Sequence, residues 1–428
     1  MHLIKIYIIF FNNVYILINK MSIENYISKI LNNDDDKSYE IIAYFKINNP
    51  INEKFIFKYI KKMFKENEEL KKHSDNVKSF YEIKYNEDYN IYLKELLNKP
   101  LPKNKIFHSI ICINNKENTN NENIVIVKVN HAYFDGYTLI NMLLKTLSNE
   151  DIKINHKTPH YKSMYYYLFG TFLLFFMEMF IITKICISKI IDTFANIFFG
   201  NININLNTII NKNKNINTKI KNDFNYIICK PLNLQKIKKK SKKSGISIND
   251  FLHSLMIKTD KLYHNVNKNI FVGFPINVNK MENNLNFCML LNMFNNSYDD
   301  LELLKLVNER FNNFKYSLYV PFYISFTNFF GKFINIETLL YLYSITMEYV
   351  DYSFTNVIGP SNEELKKTNL NINDMHFLLR PKRNEIIYSI ISSNNDINII
   401  LSFKNGVIKN TMEFENCIYE AYNELINI

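Results

Sequence analysis

His131 and Asp135 are separated by three residues, and Gly136 closes the stretch His131-Ala-Tyr-Phe-Asp135-Gly136. An imidazole is the side chain best suited to taking and returning a proton near neutral pH. It serves as a general base when it hangs rigidly from the end of a buried strand and faces a channel. The run Ile124-Val-Ile-Val-Lys-Val-Asn130 directly precedes it and has the apolar density of such a strand. The bland alternative is a core histidine followed by an ordinary Asp-Gly turn. The chain has nine His and only eight Gly, so the pattern arises by chance in fewer than roughly one chain in a hundred of this composition.

The other reactive side chains are poorly placed for chemistry. Cys112, Cys186, Cys229, Cys288 and Cys417 are odd in number, far apart and without a C-x-x-C pair. That spacing argues against a disulfide framework or a thiolate metal site and for reduced, buried thiols. His253 and His376 have no paired ligand spacing, so each reads as a packing or surface histidine, and no metal site is expected. The net charge of +11 comes almost entirely from lysine, the only arginines being Arg310, Arg380 and Arg383. A lysine surplus scattered among Asn and Ile gives weak, salt-sensitive attraction to anionic lipid or a phosphorylated cosubstrate. No zinc-finger spacing, aromatic RNA-binding signature or arginine stripe is present, so nucleic acid is not an expected partner.

The elements that must position His131 follow from length and periodicity. At 428 residues the chain exceeds one ordinary core, so two lobes are expected. Residues 1–20 read as an apolar N-terminal extension, 21–160 as the first lobe, 161–222 as a hydrophobic segment and Asn-rich linker, and 223–428 as the second lobe. The pattern is mixed α/β throughout. Glu40–Ile47, Ser79–Tyr85, Lys105–Ile113 and the Ile124 run read as strands, and Asn52 as the cap of a helix with Phe55, Ile56, Tyr59, Ile60 and Phe64 on its apolar face. A helix follows the motif from Tyr137 to Leu147. The second lobe reads as a strand at Phe224–Cys229, a basic helix Leu234–Ser244 ending at Gly245, and a helix opening at Ser247-Ile-Asn249-Asp250. Strands follow at Ile270–Pro275 and Tyr352–Pro360, with a helix at Leu301–Phe314 between them. Asn394-Asn395 and Asn405-Gly406 read as hairpin turns between late strands, and a helix from Glu413 closes the chain.

Four stretches in order, His131-x-x-x-Asp135-Gly136, Ile248-Asn249-Asp250, Phe274-Pro275-Ile276 and Thr355-Asn356-Val-Ile-Gly359-Pro360, together resemble the bacterial-type bifunctional wax ester synthase/diacylglycerol O-acyltransferase family. That family lies within the chloramphenicol acetyltransferase-like HxxxDG superfamily. The resemblance runs from about residue 40 to the C-terminus. It departs from the usual pattern at three points. Asn130 replaces the first of two adjacent histidines, the upstream Pro-Leu-Trp element has no counterpart around Asn104–Phe107, and no arginine follows Pro275.

The resemblance implies an α+β fold of the two-layer sandwich type, with two chloramphenicol acetyltransferase-like lobes and a channel between them. It implies acyl transfer from acyl-CoA, the cosubstrate, to a long-chain alcohol or diacylglycerol, with no permanently bound cofactor. His131 would take the acceptor's hydroxyl proton and return it to the leaving thiolate, and a neutral imidazole suits both steps. Asp135 would shape the loop through an ion pair, with Gly136 permitting a tight exit into the helix. Asn249 is read in two ways, as a polar contact in the channel or as part of a capped helix start. Thr355 and Asn356 are candidates for a hydrogen bond to the oxyanion, and Gly359 and Pro360 for a turn. The lysines Lys236 to Lys243 are read mainly as a solvated helix face, with CoA phosphates as the alternative.

Residues 163–183 have the length of a membrane helix. A single span there would put the two lobes on opposite sides of a bilayer, so the expected arrangement is an in-plane or hairpin attachment with residues 185–199. The low-complexity composition points to the endoplasmic reticulum or the lipid droplet surface. Two other functions remain open: a lipid-binding or membrane scaffold that kept the fold without catalysis, and an acyltransferase for a smaller alcohol or an amine.

Overall fold

The structure is a computed structural model describing residues 40–48, 51–72, 74–102, 105–113, 123–131, 133–134, 136–147, 223–277, 287–316, 350–368, 372–381 and 386–428. Residues 1–20, Asp135, residues 163–183 and 185–199 and the Asn-rich linker all lie outside this set, so the expectations placed on them are not addressed by it.

The first sheet has five strands, β1 (Glu40–Ile47), β2 (Tyr81–Tyr85), β3 (Phe107–Ile113), β4 (Asn123–Asn130) and β10 (Ile372–Leu379), in the order β10-β1-β4-β3-β2. Strand β4 is buried along its whole length, as a nearly unbroken apolar run requires. One face is covered by helices α1 (Glu53–Glu66) and α4 (Gly136–Leu147). Asn52 starts α1 by accepting from the Phe55 N–H at 2.8 Å, and the short α2 (Glu68–Lys71) extends it. The buried stripe of α1 is Ile56, Ile60, Met63 and Phe64. The predicted face is borne out, with Phe55 and Tyr59 half-buried against the same core, and Met63 joins it. Ser79 and Phe80 belong to a 3-10 helix, Ser74–Phe80, so the predicted strand begins only at Tyr81. Phe80 packs instead on Phe64, ring centroids 5.1 Å apart.

The opposite face packs against α3 (Tyr89–Asn98) and the second lobe. The Asn98 side chain acts there as a piece of strand, accepting from the Phe224 N–H at 2.7 Å and donating to the Phe224 carbonyl at 3.0 Å.

The second sheet has seven strands: β5 (Phe224–Ile228), β6 (Leu232–Asn233), β7 (Asn269–Asn277), β8 (Phe287–Asn295), β9 (Tyr352–Ile358), β11 (Ile386–Ser393) and β12 (Asp396–Lys404). Their order is β5-β12-β11-β9-β7-β8, with β6 beside β12, and β9 runs parallel to both neighbours. Helices α5 (Leu234–Ser244), α6 (Ile248–His264), α7 (Asp300–Tyr316) and α9 (Thr411–Asn427) supply the rest of this core, and a short α8 (Asn362–Lys366) follows β9. Helix α5 ends at Gly245 in the left-handed region, φ 67°.

Three features depart from the sequence reading. The chain crosses back after α8, so β10, inside the expected second lobe, is an edge strand of the first sheet beside β1. Its polar residues Asp374 and His376 conceal it as a strand; they are accommodated because they pair with each other at 2.7 Å. Strand β8 has no counterpart in the expected pattern. Finally, Asn394-Asn395 does join two strands, with Asn394 at φ 58°, but Gly406 at φ 90° turns β12 towards α9 rather than into another strand.

Candidate active site

His131 is half-buried in the turn that follows β4. The turn is held at both ends. The Asn130 N–H donates to the Ile106 carbonyl at 3.0 Å, and the Asn130 carbonyl accepts from the N–H groups of Tyr133 and Phe134 at 3.1 and 3.3 Å. Phe134 is buried in the first core, so the turn cannot lift without exposing a full aromatic side chain. Two residues upstream, Lys128 pairs with Glu40 at 2.8 Å, both side chains buried. The Lys128 ammonium also donates to the carbonyls of Leu96 and Lys99. Burial pushes that ammonium below its ordinary pKa, and Glu40 partly offsets the effect. This clamp ties the end of the His131 strand to α3. Its only sequence signal was one charge inside an eight-residue apolar strand.

In the second lobe, Ser247 and Asp250 form a capping box at the start of α6. Asn249, in the same turn, is half-buried and accepts from the Asn356 side-chain amide at 3.3 Å. The two readings of this segment therefore divide between residues: Asp250 caps, and Asn249 reaches across to β9. One turn further along α6, fully buried His253 stacks on Phe354 with ring centroids 3.6 Å apart and also meets Phe311 at 4.4 Å.

Residues alternate faces along β9. Phe354 belongs to the second core, and Asn356, two residues on, meets α6. Val357 packs instead on the first core, so Thr355 shares the face turned towards the first lobe. Thr355 and Asn356, adjacent in sequence, thus point to opposite sides. A Cβ on Gly136, the first residue of α4, would lie 3.0 Å from Val357 Cγ2. The turn carrying His131 and the strand carrying Thr355 meet at that contact. Gly359 and Pro360 are buried just past β9. A Cβ on Gly359 would overlap the Ser392 carbonyl oxygen and stand 2.8 Å from Ile391 Cγ1. The residue type is dictated there by the approach of β11.

Residues 283–426 match the WS/DGAT C-terminal domain. The chain carries a WS/DGAT C-terminal domain. The WS/DGAT match includes Thr355–Pro360, while His131, Asn249 and Pro275 lie outside it. The fold is similar to that of the wax ester synthase/diacylglycerol acyltransferase from Marinobacter aquaeolei VT8, at 10% identity over 94% of this chain and 98% of that one, TM-score 0.56. It is also similar to trichothecene 15-O-acetyltransferase from Fusarium sporotrichioides, at 8% identity over 94% of each chain, TM-score 0.59. The first condensation domain of the calcium-dependent antibiotic synthetase matches at 8% identity over 94% of each chain, TM-score 0.52. No curated protein sequence matches. These likenesses bear out the chloramphenicol acetyltransferase-like fold, and the WS/DGAT domain match over residues 283–426 agrees with the family resemblance read from the motifs and supports an acyltransferase.

Among the described residues, no three His, Cys, Asp or Glu side chains are grouped to hold a metal ion. Cys112, Cys229 and Cys417 are buried free thiols, and burial raises the pKa of each. Such thiols are inert rather than nucleophilic. No helix among the described residues is long and apolar enough to cross a membrane.

Proposed function

We propose that this protein is an O-acyltransferase that moves a fatty acyl group from acyl-CoA to a long-chain alcohol or diacylglycerol, forming wax ester or triacylglycerol. His131 takes the hydroxyl proton as the acceptor oxygen attacks the thioester carbonyl. The tetrahedral intermediate collapses, the C–S bond breaks, and His131 returns the proton to the CoA thiolate. Thr355 is the candidate donor to the oxyanion, since it lies on the β9 face turned towards the first lobe. Asn356, tied to Asn249, positions that strand, and Asp135 shapes the loop. No acyl-enzyme and no permanently bound cofactor is required.

The observation that carries this reading is the contact of Gly136 with Val357. It joins the HxxxDG turn of one lobe to the strand of the WS/DGAT-matched domain in the other. Residues 163–183 and 185–199 are proposed to attach the enzyme to the endoplasmic reticulum or lipid droplet surface, from which apolar acceptors are drawn. The test is CoA release from palmitoyl-CoA with hexadecanol or diacylglycerol, for the wild type beside His131→Ala. Acceptor-dependent release that vanishes in the variant supports the reading and ranks the acceptors. Equal, negligible release from two folded proteins on both acceptors favours a different acceptor class or the non-catalytic lipid-binding role, the latter consistent with Asn130 in place of a paired histidine.

A further inference from the structure

The last carbonyls of a helix lack partners within it and gather negative partial charge. The last turn of α3 holds no basic residue to meet them. The cations come instead from the first sheet. The Lys128 ammonium, on β4, donates to the carbonyls of Leu96 and Lys99. The Arg380 guanidinium, just past β10, donates from Nη2 to the Asn98 carbonyl at 3.5 Å. The Glu40 carboxylate pairs with Lys128 at 2.8 Å and accepts from the Leu101 N–H at 2.5 Å. Its backbone carbonyl accepts from the Arg380 N–H at 3.3 Å. Glu40, Lys128 and Arg380 are all buried. Glu40 favours the Lys128 ammonium and Arg380 opposes it, so the helix carbonyls are needed to settle both cations.

This joint reaches both lobes and the candidate base. Asn98 exchanges two hydrogen bonds with the Phe224 backbone of β5, and the Arg380 guanidinium lies over the Phe224 ring, 5.3 Å from its centre. In the other direction, Glu40 is directly opposite Asn130 across β1 and β4. The Asn130 carbonyl holds the Tyr133 and Phe134 N–H groups of the turn that carries His131. The residue types agree with such a task. Lysine fills nearly every basic position of the chain, yet this one is among its three arginines. A planar guanidinium covers an aromatic ring and donates at its edge, which suits this place better than a compact ammonium. A buried ion pair is often no more stabilising than apolar side chains of similar volume, so what it supplies here is geometry.

We propose that Glu40, Lys128 and Arg380 are positioning residues, which fix the spacing of the lobes and, through Asn130, the placement of His131 against β9. They act through the backbone and not on the reacting atoms. The proposal rests on the acyl-transfer reading with His131 as the base.

The test uses three full-length variants. Glu40→Gln with Lys128→Met removes one charge of each sign and leaves an acceptor for the Leu101 N–H. Arg380→Lys keeps the charge and loses the planar donor. Asn98→Ala cuts the contacts at their far end. Each is assayed for CoA release from palmitoyl-CoA with hexadecanol or diacylglycerol, melted, and followed by amide hydrogen exchange. The expected result is a fall in kcat of up to about 10²-fold for the double variant and a smaller fall for the other two. KM for palmitoyl-CoA should change little, and melting temperatures should stay near that of the wild type. Exchange should quicken several-fold at Tyr133, Phe134 and Phe224 and stay unchanged in β11 and β12. Arg380→Lys and Asn98→Ala carry the test even where removal of the buried pair unfolds the chain. Activity lost only in step with melting temperature, with exchange faster throughout, would overturn the proposal and make the joint merely structural. Unchanged exchange at Tyr133 and Phe134 in every folded variant would overturn it too. A wild type without acceptor-dependent release would sink the acyl-transfer reading instead, and the joint would then stand or fall on the exchange pattern, which needs no activity.

Discussion

Beside His131 the lobes touch through Gly136 and Val357, and within the second sheet Gly359 lies as close to Ile391 and Ser392 of β11, with no room for a further methyl group. Around Lys46, Asp374 and Asn398 the same two lobes meet through charges and amides and enclose a recess. The apolar seam is located by repulsion: carbon against carbon leaves one separation that neither clashes nor opens a void. The polar seam is located by directional bonds, which tolerate space beside them. The first suits a site whose reacting atoms must be held to fractions of an ångström.

That contrast gives predictions of decreasing size. If the close seam serves proton transfer, His131→Ala should lower kcat/KM by about 10²- to 10⁴-fold and leave the melting temperature nearly unchanged; an equal loss of stability and activity would reduce His131 to a packing residue. Gly359→Ala must push β9 off β11, so denaturant unfolding should show a loss of about 1–3 kcal/mol or more, with activity falling in parallel. Gly136→Ala meets a valine methyl at 3.0 Å, and a loss of about 1 kcal/mol should be largely recovered by adding Val357→Ala. No recovery would mean that this seam is looser than its geometry.

Smaller still is the amide pair behind the seam. A double-mutant cycle on Asn249→Ala and Asn356→Ala should give a coupling of about 0.5–1.5 kcal/mol. The polar seam should differ by responding to acid. Burial raises the Asp374 carboxyl, but hydrogen bonds from His376 and Asn398 and the charges of His376 and Lys46 outweigh it and hold the carboxyl below its ordinary range. A group depressed in the folded state adds stability above its unfolded pKa, near 3.9, and loses it as pH falls through the folded value. Acid unfolding of the wild type should therefore carry a component below about pH 4 that is missing from Asp374→Asn.

Most elements were legible because their signals are local. A helix such as α1 shows its cap and its apolar spacing within one window of residues, and the buried strand before His131 shows itself as an apolar run. The local pattern misleads at strand β10: Asp374 and His376 look like surface residues until their mutual bond, and that of Asn398 from a different strand to Asp374, let His376 be buried and Asp374 half-buried. The clamp of Lys128 on Glu40 was equally invisible, since its partner lies on another strand.

The sequence by itself determined which residues have the chemistry for proton transfer, the capped starts of α1 and α6, and the Thr355–Pro360 motif that lies within the WS/DGAT match, because each depends on neighbours within a few positions. Only the tertiary structure decided that β10 crosses to the first sheet, that Gly136 abuts Val357, and that Asn249 pairs with Asn356 while Thr355 turns the other way. Those facts depend on contacts between residues more than a hundred positions apart, and the pleat of β9, which sends neighbours to opposite faces, acquires a meaning only when the two lobes are in place.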